Sequence, residues 1–364
     1  MRLSAFKSHR GMAFPLAPVT LFTGASGSGK SSALQAYEAL ALLGAGARLT
    51  RAFPDPLGCV PDGTAPDAQG RRGFRIGCTA DGPYGPVRLD VAVQAEPQLR
   101  IVGERLTDGE GRTLLTTALR DPGRRTVHAE WHTAGAARVT RAPLPDDRLG
   151  TALLPLRVAG KTEGQRHVLA AAEQLVVALR SVFPCDPQPQ HMRAPVAPGD
   201  GRLRRGCANL AEVLHRTRTG CPRRHARLAL AARAGCAGPV VELDAERLPD
   251  GTVRAVLGAA TRRTPLERLG EGELRYLALA LVLLTGPGVL AVDQAAEVPG
   301  VMQTLTVLAD GFDRGLDGRQ ARALTALAAG ICAEGHLRLV GTVGETGAGA
   351  ARGHEGVSVV HLRP

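Results

Sequence analysis

Apolar residues are grouped in short runs along the chain, and the spacing within each run predicts a strand or a helix. The run from Pro18 to Thr23 is rich in β-branched and aromatic residues, which predicts a strand. Between Ser32 and Leu43 the apolar positions recur at helical spacing, and Gly44 is a stop signal for a helix. The residues between these two runs are mainly glycine and serine. The sequence therefore predicts a strand, a glycine-rich loop and a helix in direct succession.

Residues from about 48 to 145 alternate between apolar and polar positions in short runs. Asp-Gly and Pro-Gly pairs separate these runs, and such pairs mark turns. The pattern predicts an antiparallel β meander. Its clearest strands are residues 73–78, 87–93, 99–102 and 126–131.

A helical zone follows from about residue 164 to residue 233, with its clearest helices at 168–182 and 210–216. A proline-rich loop at 184–198 interrupts it. Residues 240–257 then read as a β-hairpin around the turn Pro249-Asp250-Gly251. The chain thus predicts a helical insertion between two parts that contain β-strands.

The last part of the chain combines a buried helix with apolar strands. The glycine-rich segment from Leu269 to Glu273 leads into an apolar helix. The run 288–293 predicts a strand that ends at Asp293, and two further strands are predicted at 337–341 and 357–362.

The loop from Gly24 to Ser31 has the form G-x-x-x-x-G-K-[ST], and the strand and helix on its two sides are the context that this motif requires. Glycines allow backbone N–H groups to surround a β-phosphate at the helix N-terminus. Lys30 would reach the β- and γ-phosphates, and the Ser31 hydroxyl would ligate Mg²⁺. We therefore expect ATP and Mg²⁺ to be cofactors. The expected phosphate cradle consists of Gly24, Ala25, Ser26, Gly27, Ser28, Gly29, Lys30, Ser31 and Ser32.

Length and composition limit the remaining classes of protein. The 364 residues can form one large domain or two modest ones. The chain shows no secretory leader and no unbroken run of about 20 apolar residues, which predicts a cytoplasmic protein without membrane contact. The seven cysteines form no C-x-x-C pair, which is typical of free thiols. The group Cys207, His215, Cys221 and His225 matches no zinc-binding spacing, and we interpret it as structural.

The net charge of +11 comes mostly from arginine spread along the whole chain, which is not in itself a docking surface. The exception is the segment from Arg202 to Arg233, which is rich in arginine and contains Glu212 as its sole acid. Such a cluster attracts phosphate backbones. The segment lacks interleaved aromatic residues that could stack on bases, so it gives only a weak indication of DNA or RNA contact.

Taken together, these motifs resemble those of the ABC-type ATPase heads of the RecF/SMC-like group, in particular its stand-alone bacterial AAA-family ATP-binding proteins. The run from Leu3 to Ser8 resembles their opening strand, and Leu269 to Arg275 resembles their signature segment Leu-Ser-x-Gly-x-Leu-Arg. Asp293 stands where the Walker B strand would end, and residues 357–362 resemble the closing strand. The resemblance extends over nearly the whole chain.

The resemblance implies an α/β fold of the P-loop NTPase, ABC-ATPase type, with an antiparallel β subdomain and a helical insertion. The implied segments are an N-terminal ATPase half at 1–150, a helical lobe at 151–236 and a C-terminal ATPase half at 237–364. It also implies a homodimer that holds ATP between its subunits, with Asp293 as a second Mg²⁺ ligand. The residues implied to contact the partner's ATP are Leu269, Gly270, Glu271, Gly272 and Glu273.

Three positions depart from the pattern of this group. Gln294 stands where a catalytic Glu would follow Asp293, Gly270 replaces the signature serine, and residues 342–344 lack the switch histidine. An amide cannot take a proton from water, and general-base help is typically worth about 10²- to 10⁴-fold in rate. With Lys30, Asp293 and Gln294 as the catalytic positions, we expect ATP to be bound but hydrolysed slowly or not at all. Two alternatives stay open: Glu297 supplies the missing carboxylate, or the Walker B strand is misaligned.

Other classes of nucleotide-binding protein match less well. A GTPase would need an Asn-Lys-x-Asp segment, and the sole asparagine, Asn209, precedes Leu210. A small P-loop kinase would not have the segment that begins at Leu269. Within the resemblance, two functions remain: a nucleotide-gated scaffold that recruits an effector protein, or an active ATPase that acts on DNA in repair or anti-phage defence.

Overall fold

The computed structural model of the chain describes residues 1–134, 138–238, 240, 242–259, 262–286, 288–292 and 304–363. Within these residues the strands form three sheets, which contain eight, five and three strands. The five-stranded sheet is parallel and the other two are antiparallel. The fold is therefore of the mixed α/β class.

The strands, in chain order, are β1 Arg2–Phe6, β2 His9–Ala13, β3 Val19–Thr23, β4 Arg72–Ala80, β5 Val87–Glu96, β6 Arg100–Thr107, β7 Thr113–Ala118, β8 Thr126–His132, β9 Val139–Pro145, β10 Val182–Cys185, β11 Glu242–Arg247, β12 Val253–Ala259, β13 Arg262–Pro265, β14 Leu305–Ala309, β15 Leu337–Thr342 and β16 Val357–His361. The α-helices are α1 Lys30–Gly44, α2 Leu49–Ala52, α3 Gly150–Leu153, α4 Glu163–Arg180, α5 Pro189–Met192, α6 Leu210–Gly220, α7 Pro222–Gly235, α8 Glu271–Leu284, α9 Gly318–Ala333 and α10 Glu345–Ala351.

The parallel sheet joins distant parts of the chain in the order β10-β14-β15-β3-β16. Strand β3 lies between β15 and β16, so Leu21 has Gly341 and Val359 as its register partners. The predicted strand, loop and helix at the start of the chain are confirmed as β3 and α1, and the predicted late strands as β15 and β16. The sheet thus places the end of β3 beside the ends of strands from the last part of the chain.

The eight-stranded sheet has the order β2-β1-β4-β5-β6-β7-β8-β9, with antiparallel pairing throughout. It confirms the predicted meander. Strand β2 was not predicted, and two further strands, β7 and β9, were not predicted either. Strand β7 contains adjacent leucines instead of alternation, and β9 contains two prolines, so neither of these two has the usual pattern of a strand.

The segment predicted as a helical insertion, residues 151–236, contains helices but is not wholly helical. Its strand β10 pairs with β14 and forms one edge of the parallel sheet. Helix α4 begins at a capping Thr162, whose hydroxyl accepts a hydrogen bond from the Gln165 N–H. This helix lies against α1. The segment is thus part of the same fold as the parallel sheet, and the proposed domain boundaries stay predictions.

Strand β3 connects two hydrophobic cores because its side chains alternate between the two faces of the sheet. Leu21 belongs to the core formed with α8 and α9. Phe22 belongs to the core formed with α1, α4 and the eight-stranded sheet. Both side chains are fully buried. The loop after β3 is therefore anchored from both sides.

The described part of the predicted strand at 288–293 is not among the strands of the parallel sheet. Its described part, residues 288–292, makes an isolated bridge between Leu290 and Leu203. A short apolar run can belong to a strand or to another buried segment, and periodicity cannot distinguish the two. Asp293, Gln294 and Glu297 lie outside the described residues.

Candidate functional site

The phosphate loop, residues 24–29, lies between the end of β3 and the start of α1. Glycines determine its backbone. Gly24 has φ of 145° and Gly29 has φ of 87°, both in the range that favours glycine. A Cβ on Gly24 would lie 2.3 Å from the Leu362 carbonyl oxygen, and one on Gly29 would lie 2.7 Å from His9 Nε2. The loop therefore packs too closely against its surroundings to accept side chains at these positions.

We expect Gly24→Ala to destabilise the chain more than Gly27→Ala. Both positions have positive φ, and left-handed backbone costs an ordinary residue about 1–2 kcal/mol. A Cβ on Gly27 would meet no atom within 4 Å, whereas the one on Gly24 meets backbone. We therefore expect Gly24→Ala to lower the free energy of unfolding by a further 1–3 kcal/mol, roughly. Urea unfolding of both variants measures the difference, and equal losses would contradict the close packing of Gly24.

Two buried polar side chains, Ser28 and His9, belong to the loop or pack against it. The Ser28 side chain is buried, and its hydroxyl oxygen has no hydrogen-bond partner. His9, also buried, has its Nε2 2.9 Å from the Gly29 carbonyl oxygen. An unpaired buried hydroxyl costs free energy, and because Ser28 does not line the cleft described below, this hydroxyl belongs to the interior of the loop. His9 was not predicted as a site residue, because its contact is with loop backbone from a strand that carries no motif.

Lys30 is the first residue of α1, and its side chain folds back over the loop. Its ammonium nitrogen donates to the carbonyl oxygens of Gly24 and Ala25, each 2.8 Å away. The positive charge is thus held at the helix N-terminus, where the helix dipole also favours an anion. The arrangement suits a polyphosphate that would replace the two carbonyl oxygens as the partner of Lys30.

Ser31 connects the loop to strand β14. Its hydroxyl donates to Asp310 Oδ1 at 3.1 Å, and the same carboxylate oxygen accepts from the Thr342 hydroxyl at 2.6 Å. Asp310 follows directly after β14, and Thr342 ends β15, so the sheet order brings the two together. Carboxylate and hydroxyl oxygens are the hard ligands that Mg²⁺ prefers. The pair Ser31 and Asp310 therefore fits the binding of Mg²⁺ together with phosphate oxygens.

The sequence had indicated Asp293 as this carboxylate and Gln294 as the residue after it. Both lie outside the described residues, so their roles stay predictions. Among the described residues it is Asp310 whose carboxylate contacts Ser31. The signal for Asp310 is present in the sequence, because Leu305–Ala309 is an apolar run that ends at an acid, like the run at 288–293. We did not identify Asp310 from the sequence.

The residue after Asp310 is Gly311, which has φ of 67° and no side chain. Its N–H donates to the Thr342 hydroxyl at 2.7 Å. The next acid, Asp313, accepts hydrogen bonds from the N–H groups of Gly344 and Gly347, so its carboxylate is engaged at the start of α10. No described residue directly after Asp310 thus offers a carboxylate to activate water.

These groups surround an open cleft of about 700 Å³. Of the predicted cradle, Ser26, Gly27, Gly29, Lys30, Ser31 and Ser32 line the cleft, while Gly24, Ala25 and Ser28 do not. The cleft extends from Lys30 to Lys7, Gly58 and Asp62 on the other side. A volume of this size is in the range for nucleotide-sized ligands.

The segment predicted to contact a partner's nucleotide lies outside this cleft. Gly270 and Glu271 are exposed at the N-terminus of α8, whereas Leu269 is buried. The Glu273 carboxylate accepts from the N–H groups of Gly270 and Ala237, so it caps the helix. A Cβ on Gly272 would lie 2.3 Å from the Gly315 carbonyl oxygen. Within one chain, therefore, Gly270 and Glu271 are the members of this segment that stay open to a second molecule.

Arg275 connects α8 with the loop that follows Asp310. Its guanidinium donates to the Gly311 carbonyl oxygen at 3.0 Å and to the Pro187 carbonyl oxygen at 2.5 Å. The side chain is buried, and burial lowers the pKa of its guanidinium. Arg275 thus links the start of α8 to the backbone beside Asp310.

The arginine-rich segment from Arg202 to Arg233 uses several of its cations within the chain. Arg205 pairs with Glu38, Arg218 pairs with Asp244, and Arg227 lies 3.7 Å from Glu334. Charges neutralised in this way contribute less to binding a phosphate backbone.

The described residues contain no group of three or more His, Cys, Asp or Glu side chains that could hold a metal ion. None of the helices in this part of the chain is both long and apolar enough to span a bilayer.

No protein-family model matches the chain, and no curated protein matches it. Solved structures do match. An SMC head bound to the C-winged helix domain of ScpA is 13% identical with a TM-score of 0.51, and the match covers 96% of this chain and 90% of that chain. The SMC head domain from Thermotoga maritima is 14% identical with a TM-score of 0.42 and has the same coverage. The first of these matches, with its TM-score of 0.51, shows that the chain has the fold of an SMC head domain.

Proposed function

We propose that the chain binds MgATP in the cleft at its phosphate loop and that ATP joins two copies of the chain. The observation that carries the proposal is the group formed by Lys30, Ser31 and Asp310 at one end of the cleft. Lys30 offers a positive charge at a helix N-terminus. The ATP-binding part of the proposal rests on this chemistry and agrees with the ABC-type fold.

We further propose that Ser31 and Asp310 hold Mg²⁺, with Asp310 in the role that the sequence had suggested for Asp293. The contact between Ser31 and Asp310 supports this choice, since both oxygens face the same end of the cleft. Bound Mg²⁺ would neutralise negative charge on the phosphates. Thr342 would hold the Asp310 carboxylate in place through its hydroxyl.

Hydrolysis in the proposed complex is slow. Gly311 follows Asp310 and cannot act as a base, and the Asp313 carboxylate accepts hydrogen bonds from α10. Without a general base the rate falls by about 10²- to 10⁴-fold. Glu297, outside the described residues, is the alternative source of a carboxylate. Nucleotide would then control the association of two chains without being consumed rapidly.

Dimerisation would place the exposed Gly270 and Glu271 of one copy over the ATP of the other. The position of Gly270 at a helix N-terminus supports contact with an anion, whereas the Glu271 carboxylate would have to point away from the phosphates. The association would depend on ATP because the nucleotide is shared between the copies. An effector protein would then recognise the joined form.

The alternative function is an active ATPase that acts on DNA. It would use the segment from Arg202 to Arg233, but the ion pairs of Arg205, Arg218 and Arg227 with acids of the same chain disfavour it. This alternative predicts DNA binding that weakens steeply with salt, together with appreciable turnover.

Three measurements on the wild-type chain test the proposal: calorimetric titration with MgATP, size-exclusion chromatography with and without MgATP, and single-turnover hydrolysis. We expect saturable binding, a shift from monomer to dimer with ATP, and hydrolysis at least about 10²-fold slower than in an enzyme with a general base. A chain that binds no ATP contradicts the whole proposal. Rapid hydrolysis combined with salt-dependent DNA binding would favour the alternative.

The variant Gln294→Glu distinguishes the two candidate positions for the Mg²⁺ carboxylate. If Asp310 holds the metal, Gln294 is not the residue after it, and we expect the single-turnover rate to stay within about threefold of wild type. If Asp293 holds the metal, the new carboxylate is in the catalytic position and the rate rises by about 10²-fold or more. Single-turnover hydrolysis of both proteins under identical conditions gives the answer.

A further inference from the structure

A second cavity, of about 940 Å³, lies at the opposite ends of the parallel strands from the phosphate loop. It is bounded by α1, α4 and the eight-stranded sheet. Its apolar lining includes Phe14, Leu175 and Leu179. Thr306 and Arg338, the second residues of β14 and β15, also line it. Cavities of this size and composition typically hold small molecules.

The inner wall of this cavity carries a small polar group. Thr306 and Arg338 are register partners on neighbouring strands, and the Tyr37 hydroxyl lies 3.4 Å from the Thr306 hydroxyl. Tyr37 is buried, and burial raises the pKa of its phenol, while hydrogen bonds with Thr306 and Arg338 oppose that rise. The inner wall thus places the neutral phenol of Tyr37 beside the guanidinium of Arg338.

The guanidinium of Arg338 has a donor to spare. Its Nε is buried and has no hydrogen-bond partner. Leaving such a donor unpaired costs about 1–3 kcal/mol, more for a charged group. The Nε itself is closed off from the cavity, so a bound molecule would meet the terminal guanidinium nitrogens of Arg338, which is half-buried and lines the cavity. A carboxylate is the acceptor that pairs best with guanidinium.

The charged side chains of the cavity are arranged by depth. Arg2 is committed to Asp90, Thr79 and two backbone carbonyls. Asp81 and Glu173 are exposed, so the acids lie at the mouth and Arg338 lies within. The field of these groups favours an anion at the inner end and disfavours one at the entrance.

We propose that this cavity binds a small molecule with an apolar body and a carboxylate, which pairs with Arg338 and the Tyr37 hydroxyl. The apolar walls hold the body of the molecule, and the polar inner wall fixes its direction. The site is separate from the nucleotide cleft and does not depend on the proposed ATP binding. Because α1 carries both Lys30 and Tyr37, two helical turns apart, such a ligand contacts the helix that begins at the phosphate loop.

The test compares three probes of the same shape: 4-phenylbutyrate, 4-phenylbutanol and 4-phenylbutylamine. Calorimetric titration of the full chain should give saturable binding of the acid about tenfold tighter than the alcohol, and the amine should bind more weakly than either. Tenfold corresponds to one charge-assisted hydrogen bond of about 1.4 kcal/mol. Octanoate in place of 4-phenylbutyrate shows whether an aliphatic body is accepted equally.

Variants locate the binding within the cavity. Arg338→Gln should reduce the affinity for the acid to that for the alcohol, and Arg338→Lys should recover part of the difference. Ala178→Phe fills the cavity from α4 and should weaken both probes by at least tenfold. Lys161→Met, which changes a residue outside the lining of either cavity, should leave both affinities unchanged. Circular dichroism and thermal unfolding check that each variant is folded.

Two results would overturn the proposal. The first is equal affinity of wild type for the acid and the alcohol, or no saturable binding below about 1 mM of any probe, which is the weak end of specific affinity. The second is a folded Arg338→Gln that keeps the preference for the acid. If Arg338→Gln does not fold, Ala178→Phe decides in its place, because unchanged binding in that variant excludes the cavity.

Discussion

We expect Lys30→Met to lower the affinity of the chain for MgATP by about 100-fold. Methionine keeps an unbranched apolar stem like that of the lysine but removes the charged amino group. Two charge-assisted hydrogen bonds to phosphate would be lost, each worth about 1.5–3 kcal/mol, and part of this loss is recovered by water. Calorimetric titration with MgATP measures the change.

The matched control is Lys161→Met, which changes a lysine just before α4, outside the residues that line the cleft. We expect its ATP affinity to stay within about twofold of wild type. In Lys30→Met the bonds to the Gly24 and Ala25 carbonyl oxygens are also lost, so its unfolding free energy is measured in parallel. An ATP affinity of Lys30→Met within threefold of wild type would exclude this loop as the nucleotide site.

Local patterns predicted the elements around the phosphate loop correctly. The strand from Val19 to Thr23 is a short apolar run, the helix has apolar residues at helical spacing, and glycines mark the ends of the loop and of the helix, so neighbouring residues carry the information. Local patterns also predicted the start of helix α8 and the strands β15 and β16 correctly. These elements are specified by hydrophobic spacing and turn residues, which depend on short stretches of sequence.

The partner of Ser31 could not be chosen from such patterns. The runs at 288–292 and Leu305–Ala309 are both short, apolar and followed by aspartate. Which one lies beside β15 depends on the order of strands in the sheet, and that order depends on contacts between residues far apart in the chain. The pairing of Ala309 with Gly341 brings Asp310 next to Thr342, and neither residue predicts the other from its neighbours.

His9 was missed for a related reason. It lies at the start of β2, and its ring is buried against Phe14 and the backbone of Gly29. A single histidine in a short strand predicts no site by itself, because most such residues only fill space. Its contact with the phosphate loop depends on the packing of the eight-stranded sheet against α1. No local pattern of the chain specifies that packing.

We expect Asp310→Asn to remove most of the effect of Mg²⁺ on ATP binding. The asparagine keeps the shape of the side chain, and its amide oxygen can still accept from the Ser31 and Thr342 hydroxyls, so the fold should persist. What it lacks is the negative charge that a hard cation requires. Titrations with ATP in Mg²⁺ and in EDTA should differ in wild type by roughly 10- to 100-fold more than in the variant, as expected for an ionic contact of about 1.5–3 kcal/mol.

Two further variants make this result specific. Asp313→Asn changes an acid that lines the same cleft, but one whose carboxylate accepts hydrogen bonds from Gly344 and Gly347. We expect it to lower the stability of α10 and to keep the Mg²⁺ dependence. Asp293→Asn changes the acid that the sequence had indicated, and we expect it to keep that dependence too. If Asp293→Asn loses the effect of Mg²⁺ while Asp310→Asn retains it, the metal is held by the segment that follows Val292, and Asp310 only orients Ser31.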